Sequence, residues 1–481
     1  MKPVESDGFT STPSPGARTM TTQQNHQQAH PSNSYRVVLV DFYWTRDKDP
    51  RIPLGHASLR ASLARDPAIE TVPVVVAVNA GTYSADEITD TILRATEGIA
   101  ETRVTIAFGA YVWGEALLKE VLGRVRARGF GGRIVLGGPQ ISYSSGGLER
   151  IYPEASAFVR GYGENALLAL AKIEGQPRIP GVHWAGEDDV CMQANIDLET
   201  IPSPWLEDVI PLEGQRFIRW ETQRGCQYRC AFCQHREAGA RLQRRQLDLA
   251  RIQKEIDLFC ASGVEDIAVL DPIFNSSEHA VAILERFAER GYKGRLSLQC
   301  RAEQVTQEFV DAAALLDTRL EFGLQTIHRN EGAAVRRPNH LPGVEEALRM
   351  VREADITHEV SLIFGLPEQT LASFLESVAW CLEQRIDAIK AFPLLLLRGT
   401  PLERDRQLWG FETCDGEMPM VVQSNSFTFD EWLEMARYSE ALKLTEGDHP
   451  DHLAPLHLLA ATDACEPEMP RWIPGAFGRT A

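Results

Sequence analysis

The sequence predicts an α/β protein of two consecutive units, a Rossmann-like doubly wound parallel sheet followed by a partial (β/α)6 TIM-type barrel, with a small C-terminal region after them. Three observations carry this. From Tyr35 onward short apolar strands alternate with helical stretches, the pattern of a parallel sheet with helices on its faces. After about residue 215 six more strand–helix units follow, fewer than the eight of a closed barrel. The first strand of that second set runs into a loop carrying three cysteines, Cys226, Cys230 and Cys233, spaced Cys-x3-Cys-x2-Cys.

Residues 1–34 are rich in Ser, Thr, Pro, Gln and His without apolar periodicity, and are expected to form a disordered tail. In the unit expected over 35–180, strands are predicted at 36–42, 72–78, 104–108, 133–136 and 157–160. Helices open at Pro53 and after the N-cap Ser84. Three turns stand beyond the later strands: Tyr111-Val112-Trp113, Gly137-Gly138-Pro139-Gln140 and Gly161-Tyr162-Gly163-Glu164. Glycine permits tight loops there, and ligands of such sheets bind outside the carboxyl ends of the strands. No G-x-G-x-x-G opens a helix after the first strand, which argues against a nicotinamide dinucleotide. Residues 181–214, acidic and interrupted by prolines, read as an interdomain linker.

In the barrel, expected over 215–405, strands are predicted at 217–222, 266–270, 295–300, 319–322, 359–364 and 388–396. Polar residues and glycines stand at their carboxyl ends, where barrel sites lie: Asp271 and Asn275, Arg301 and Glu303, Gly323 and Gln325, Gly365, and Gly399. Residues 406–481 are expected to shape the substrate pocket. A helix is predicted there over 429–444, and Asp448-His449-Pro450-Asp451-His452 reads as a solvated loop in preference to a metal cluster.

Thiolates at this density point to a metal, because soft sulfur ligands select iron–sulfur clusters, zinc or copper(I). Structural zinc takes four ligands, and His235 is the residue near the trio that could complete such a set. Three thiolates on a 4Fe-4S cluster leave one iron open, which suits catalysis. Together with Phe232 before the third cysteine, the loop from Arg224 to Cys233 resembles the cluster-binding signature of the radical S-adenosylmethionine (SAM) superfamily, whose members use partial six-unit barrels.

That resemblance covers about residues 215–405. It implies a 4Fe-4S cluster on Cys226, Cys230 and Cys233 as the catalytic centre, with Phe232 beside it. It further implies SAM held by Asp271 and Asn275 at the methionyl amino group, by Arg301 and Glu303 at the carboxylate or ribose, and by Gln325. The turn set Tyr111 and Trp113, Gly137, Gly138, Pro139 and Gln140, and Gly161, Gly163 and Glu164 resembles the cobalamin-binding domain that precedes the barrel in the class B members. Tyr162 stands where that class often carries an acid. The Asp-x-His-x-x-Gly motif of other cobalamin proteins is missing between Asp41 and Gly55, so cobalamin is expected without a histidine from that motif. Arg46, Arg51 or His56 would then face the lower side of cobalt, with Arg51 favoured by position. Pairing of Arg51 with Asp47 or Asp49 is the competing reading.

A net charge of −18 argues against a nucleic-acid or anionic-membrane surface. Arg236, Arg241, Arg244 and Arg245 form a local basic run, read as a solvated helix face, with an anion-holding role as the alternative. Nine cysteines, odd in number and sparse outside the trio, are no disulfide framework and suit a reducing compartment. With no apolar run of spanning length and no signal-peptide core, no membrane role and a cytoplasmic location are expected.

Within the cobalamin class the chain resembles the methylases of antibiotic and other natural-product biosynthesis, with tryptophan C2 a candidate position through the histidine after the third cysteine. The resemblance implies transfer of a methyl from SAM through methylcobalamin to a carbon of a small-molecule or peptide-derived substrate. It also implies an external electron donor of flavodoxin or ferredoxin type. The rivals are a non-methylating rearrangement or oxidation, a methylthiotransferase acting on RNA, and a non-enzymatic corrinoid or cluster sensor. The methylthiotransferase needs a second cysteine trio in its N-terminal domain, whereas the residues before the barrel here hold only Cys191. The ordered polar residues and glycines at five barrel strand ends speak against the sensor. Replacing Cys226, Cys230 and Cys233 together by Ala should abolish bound iron and sulfide after anaerobic reconstitution; retention of both in the triple variant would refute the ligand assignment.

Overall fold

The computed structural model describes residues 34–46, 48–50, 52–81, 83–172, 175–235 and 245–468, and the backbone of 20–21. Runs of β-branched and aliphatic residues make the strands of the first unit: β2 (Tyr35–Tyr43), β3 (Ile69–Ala77), β4 (Val104–Gly109), β5 (Arg133–Gly137), β6 (Ala157–Val159) and β7 (Val182–Trp184). A two-residue strand β1 (Met20–Thr21) lies antiparallel on β3, so part of the expected tail joins the sheet edge. The order is β1-β3-β2-β4-β5-β6-β7, with β2 to β6 parallel and β7 antiparallel on β6. The strand order reverses between β3 and β4 around β2, which makes the carboxyl ends of β2 and β4 a topological switch point.

Alternation along the strands sorts the two faces. Val38, Val40, Phe42, Ile106, Phe108, Ile134 and Leu136 pack one way, under helices Ala85–Arg94 and Glu115–Ala127. Val37, Leu39, Ala107, Val135 and Val159 pack the other way, toward helices Leu54–Leu63 and Gly163–Ala171. The helix predicted after Ser84 starts there because Ser84 accepts from the Glu87 amide while the Glu87 carboxylate accepts from the Ser84 amide.

The barrel strands are β8 (Phe217–Trp220), β11 (Asp266–Val269), β12 (Arg295–Cys300), β13 (Asp317–Gln325), β14 (Thr357–Phe364) and β15 (Ala388–Pro393). They run parallel in sequence order, β15-β14-β13-β12-β11-β8. Between β8 and β11 a two-residue ladder joins β9 (Gln223–Arg224) to β10 (Arg245–Gln246). The predicted C-terminal helix spans Phe429–Leu444 and buries Trp432, Met435 and Tyr438 in the barrel core. His449 accepts from the Ile389 amide at 2.9 Å, so it caps the start of β15.

The segment expected as a linker behaves otherwise. Residues of 181–214 form β7, and Ile196, Leu198, Ile201, Trp205, Ile210 and Leu212 are buried in the barrel core. Its prolines and acids gave a linker-like composition, but an apolar residue every few positions lets it pack as a strap.

Ionic contacts orient the units, among them Arg219 of β8 with Asp49 at 2.8 Å. Arg398, beyond β15, donates both Nη2 bonds to Glu115 at 2.9 and 3.0 Å, and Nη1 to the Gln140 carbonyl and the Tyr152 hydroxyl. Arg224 of β9 reaches Glu164 at 2.6 Å. Removing one partner of such a half-buried pair leaves the other charge desolvated and unmatched. Arg398→Ala should therefore lower stability by about 2 kcal/mol, read as a lower melting temperature of the cofactor-free protein; an unchanged melting curve would show that the contact does not hold the units together.

Candidate functional site

The cysteine loop is held from several sides before any metal is considered. Asp271, fully buried after β11, accepts from the Thr222 amide at 2.7 Å and the Gln223 amide at 3.1 Å, and its second oxygen accepts from the Thr222 hydroxyl. Burial pushes the Asp271 carboxyl up to about 7 despite these donors. Buried Ala231 donates to the Val335 carbonyl at 2.7 Å and accepts from the Leu402 amide at 3.2 Å. Gln234 donates to the Arg398 carbonyl at 2.7 Å, and the Tyr143 hydroxyl of the first unit donates to the Gln234 carbonyl. The loop is thus anchored on both units.

Cys226, Cys230 and Cys233 are half-buried and line one cavity of about 620 Å³ in the barrel, together with Phe232, Arg301, Gln325 and Arg337. Burial raises the thiols of Cys226 and Cys233, the latter to about 11; a bound cation would reverse this and hold them as thiolates. Two donors face the sulfurs: the His235 amide lies 3.3 Å from Cys233 Sγ, and Arg337 Nη1 lies 3.9 Å from Cys230 Sγ. Among the described residues no group of three His, Cys, Asp or Glu side chains converges on a single-ion position. Three soft thiol ligands lining one cavity are the donor set that an iron–sulfur cluster would take.

The strand-end residues divide into those facing this cavity and those supporting them. Arg301 faces it, with its guanidinium 4.1 Å from the Tyr228 ring centroid. Asn275 is a brace: its amide accepts from the Arg301 N–H at 3.0 Å and donates to the Arg301 carbonyl at 2.9 Å. Glu303 pairs with Arg301 Nε at 3.1 Å. Gln325 faces the cavity from a left-handed backbone, φ 71°, at an irregularity in the β13–β14 register. Its Oε1 is buried without a hydrogen-bond partner, an acceptor available to a ligand. Arg337 was not singled out by the sequence. It lies outside the strand ends, after the short helix that follows β13, and it also donates to the Gly323 carbonyl.

Deeper in the lumen, strand alternation points charged side chains inward. Glu359 binds Arg319 at 2.6 Å and Lys390 at 2.8 Å. Glu321, opposite Gln299 on β12, faces the same cavity and accepts no hydrogen bond from any described residue. Burial, then the nearby Glu359 charge, raises its carboxyl.

The first unit carries a separate slot of about 290 Å³ between its sheet and helices Leu54–Leu63 and Gly163–Ala171. Its walls include Leu39, Ala107, Val135 and Val159 from the strands, Gly137, Gly138, Gly161, Gly163 and Glu164 from the turns, and Arg224 from the barrel. A side chain at Gly138 (φ 95°) would lie 2.9 Å from the Ala110 carbonyl, and one at Gly161 (φ 79°) 2.6 Å from that of Ala194, so both turns need glycine. Tyr111 stacks on Trp113 at 4.8 Å, and the Trp113 indole donates to the Phe42 carbonyl at 2.8 Å. Gln140 is turned away from the slot, with its amide on Glu115, and Pro139 opens the short helix Pro139–Ser142; neither lines the slot. Arg51, like Asp47, lies outside the described residues, as do Arg236, Arg241 and Arg244.

At the head of the slot sit Asp41 and His56, both buried, with Asp41 Oδ2 4.0 Å from His56 Nδ1. Asp41 Oδ1 and His56 Nε2 have no partner. An apolar slot of this size, with two orphaned polar atoms, small residues on its sheet wall and obligatory glycines at its rim, fits a slender arm with polar ends, as one part of a corrinoid is, the rest lying outside it. A third cavity, about 530 Å³, lies between the other two. It shares Asp41, Gly55 and Tyr111 with the slot, and Arg46, Arg219 and Leu270 with the lumen.

Residues 220–381 match the profile of the Radical SAM superfamily. A 2-(S-pantetheinyl)-carbapenam-3-carboxylate methyltransferase of Streptantibioticus cattleyicolor is 26% identical over 444 residues, covering 82% of this chain and 63% of that protein. The cobalamin-dependent radical SAM methyltransferase TokK of Streptomyces tokunonensis is 25% identical over 393 residues, 72% of this chain and 57% of TokK. The chain thus spans less than two thirds of the length of these curated relatives. Two structures of TsrM, a radical S-adenosylmethionine methyltransferase from Kitasatospora setae, share the fold with a TM-score of 0.63. The one with tryptophan and a SAM analogue is 19% identical and covers 78% of this chain and 76% of its own; the one with cobalamin and a [4Fe-4S] cluster is 18% identical and covers 84% and 81%.

Burial raises the Asp41 carboxyl to about 7 and lowers the His56 imidazolium to about 3. The signs oppose. Between about pH 4 and 7 the folded state holds an Asp41 proton that the unfolded chain has lost, so that stability fades as pH rises. Between about pH 3 and 6.5 the unfolded chain holds a His56 proton that the folded state lacks, so that stability fades as pH falls. In the wild type the two slopes largely cancel from pH 4 to 6.5. Asp41→Asn should unmask the histidine, making the variant lose up to about 1.4 kcal/mol per pH unit on acidification relative to wild type, measured by denaturant unfolding of the cofactor-free protein; parallel pH profiles would show that the pair is not buried and neutral.

Proposed function

We propose that this chain, whose residues 220–381 form a radical SAM domain, is a cobalamin-dependent methyltransferase that carries a methyl group from SAM to a carbon of a small-molecule or peptide-derived substrate. One observation carries the reading: a glycine-rimmed slot and a thiol-lined lumen, each at the carboxyl ends of a parallel sheet, open through shared walls onto one cavity between them. A carrier in the slot and a donor in the lumen would each have access to a substrate in the middle. The methyltransferase names of the two relatives and the bound groups of the TsrM structures support the same assignment.

When bound, the cluster supplies reducing electrons, SAM the methyl group, and cobalamin its carriage. The chain's own residues hold and orient. Cys226, Cys230 and Cys233 would ligate the cluster, while the His235 amide and Arg337 donate toward sulfur and so tune it. Arg301, flattened against Tyr228 and braced by Asn275 and Glu303, is preorganised for the SAM carboxylate, and the free Gln325 oxygen for a donor on the same molecule. Phe232 packs beside the loop and narrows the lumen.

In the middle cavity Tyr43, Trp44, Trp205 and Leu270 give an apolar wall and Arg219 a cation, itself held by Asp49 at 2.8 Å. That lining suits a small aromatic or thioether-bearing molecule with an acidic group, and tryptophan is the first candidate to test. The scattered free cysteines suit a reducing cytoplasm, where a flavodoxin- or ferredoxin-type donor would supply electrons. No helix among the described residues is long and apolar enough to cross a membrane.

The test is to feed methyl-labelled SAM with tryptophan, and with a pantetheinyl thioether carboxylate, to protein reconstituted with cluster and cobalamin. Label is expected on cobalamin first and then on a product carbon. Arg301→Ala should slow product formation by about 100-fold, as an ångström-scale misplacement does, while leaving cobalamin retention unchanged. A rearranged or oxidised product free of label would move the chain to the non-methylating members.

A further inference from the structure

Arg224 stands two residues before the first cluster cysteine, on β9, yet its side chain leaves the barrel and enters the slot wall of the other unit. Nη1 donates to Glu164 Oε1 at 2.6 Å, and Nη2 donates to Ser58 Oγ at 3.3 Å. Nη2 and Nε also reach Glu221 Oε1, at 2.6 and 3.0 Å. The Ser58 hydroxyl passes its own proton toward Glu164 Oε1 at 3.0 Å, and the guanidinium carbon lies 5.5 Å from the Tyr162 ring centroid. Glu164, Tyr162, Glu221 and Arg224 all line the slot. The other side of the same short segment is fixed by Asp271 through Thr222 and Gln223. Between Arg224 and Cys226 there is only Gly225, at φ 81°.

On the reading of the slot as the cobalamin site, we propose that Arg224 is a positioning residue coupling the two cofactors: filling the slot fixes the cysteine loop, and loading the cluster fixes the slot wall. The physical reason is the separation of charges that loop movement would require. With water in the slot, Glu164 and Arg224 can part and be rehydrated; with the slot filled, parting them strands the Glu164 carboxylate unsolvated, while Arg224 keeps only Glu221. Because only one residue separates the guanidinium's backbone from the first cysteine, a loop held at Arg224 is a loop held at Cys226. Coupling of this kind is reciprocal, so each cofactor should tighten the other by the same factor.

The experiment titrates hydroxocobalamin into full-length protein with and without the reconstituted cluster, following binding by absorbance. Loss of cluster iron to a chelator is followed in parallel, with and without hydroxocobalamin. In the wild type, cluster loading should tighten hydroxocobalamin binding by at least about fivefold, and hydroxocobalamin should slow iron loss. In Arg224→Met both cofactors should still bind, with the affinity ratio within about twofold of one and with iron loss indifferent to hydroxocobalamin. Glu164→Gln, which keeps volume and hydrogen-bonding capacity, should show the same uncoupling and decides the matter if Arg224→Met fails to fold. A wild-type ratio near one, or an undiminished ratio in the variants, overturns the coupling. Absence of hydroxocobalamin binding to wild type in either state overturns the cobalamin reading itself, a separate and recognisable outcome.

Discussion

Buried charge at the joint between the two sheets is the constraint on which the remaining architecture depends. Each sheet presents its carboxyl-end edge to the other, where Ala57 joins the barrel core and Ile52, Leu54 and Tyr162 pack against it. Apolar contact has no direction, so orientation is carried by ionic and hydrogen-bonded contacts: Arg224 with Glu164, Arg219 with Asp49, and Arg398 with Glu115, Gln140 and Tyr152. Arginine suits this because its planar fork meets carboxylates at fixed geometry. Buried pairs of this sort are weak evidence for net stability but impose a unique arrangement, since alternatives strand a charge. A rigid relative placement keeps the slot, the middle cavity and the lumen continuous.

The same economy appears inside the barrel. Few polar side chains at the strand ends are spare, because most hold another residue in place. Asp271 holds the entry to the cysteine loop, Asn275 the backbone of Arg301, and Glu303 its guanidinium. Among the described residues, those left to meet a ligand include the thiols, the cavity side of Arg301, the orphaned Gln325 oxygen and Glu321. The supporting residues matter for the same reason as those they support, since a positioned group an ångström out of place loses much of its effect.

Much of this was legible in the sequence. The cysteine spacing, the glycine turns and the alternation of strand and helix are local patterns set by neighbours a few residues apart, and the strands from Tyr35–Tyr43 to Ala388–Pro393 lie within a few residues of their predicted positions. So does the helix Phe429–Leu444, whose Thr428 and Glu431 form a reciprocal cap. The segment 181–214 misled because proline and acid content is shared by linkers and by straps, and only its contacts separate the two. That the Gln140 amide meets Glu115 was not legible, because a residue in such a turn can point either way once the helix beside it offers a carboxylate.

Composition, spacing and periodicity by themselves determined the fold class, the six barrel strands and a thiol loop suited to a soft metal, because those follow from backbone preference and from what sulfur binds. Tertiary structure alone decided which strand-end polar groups face the lumen and which brace their neighbours, that Arg337 approaches a cysteine from more than a hundred residues away, and that Arg224 and Arg398 join the units. Those outcomes depend on side-chain direction and on partners distant in the chain, and a charged residue carries no local mark of the opposite charge it will meet.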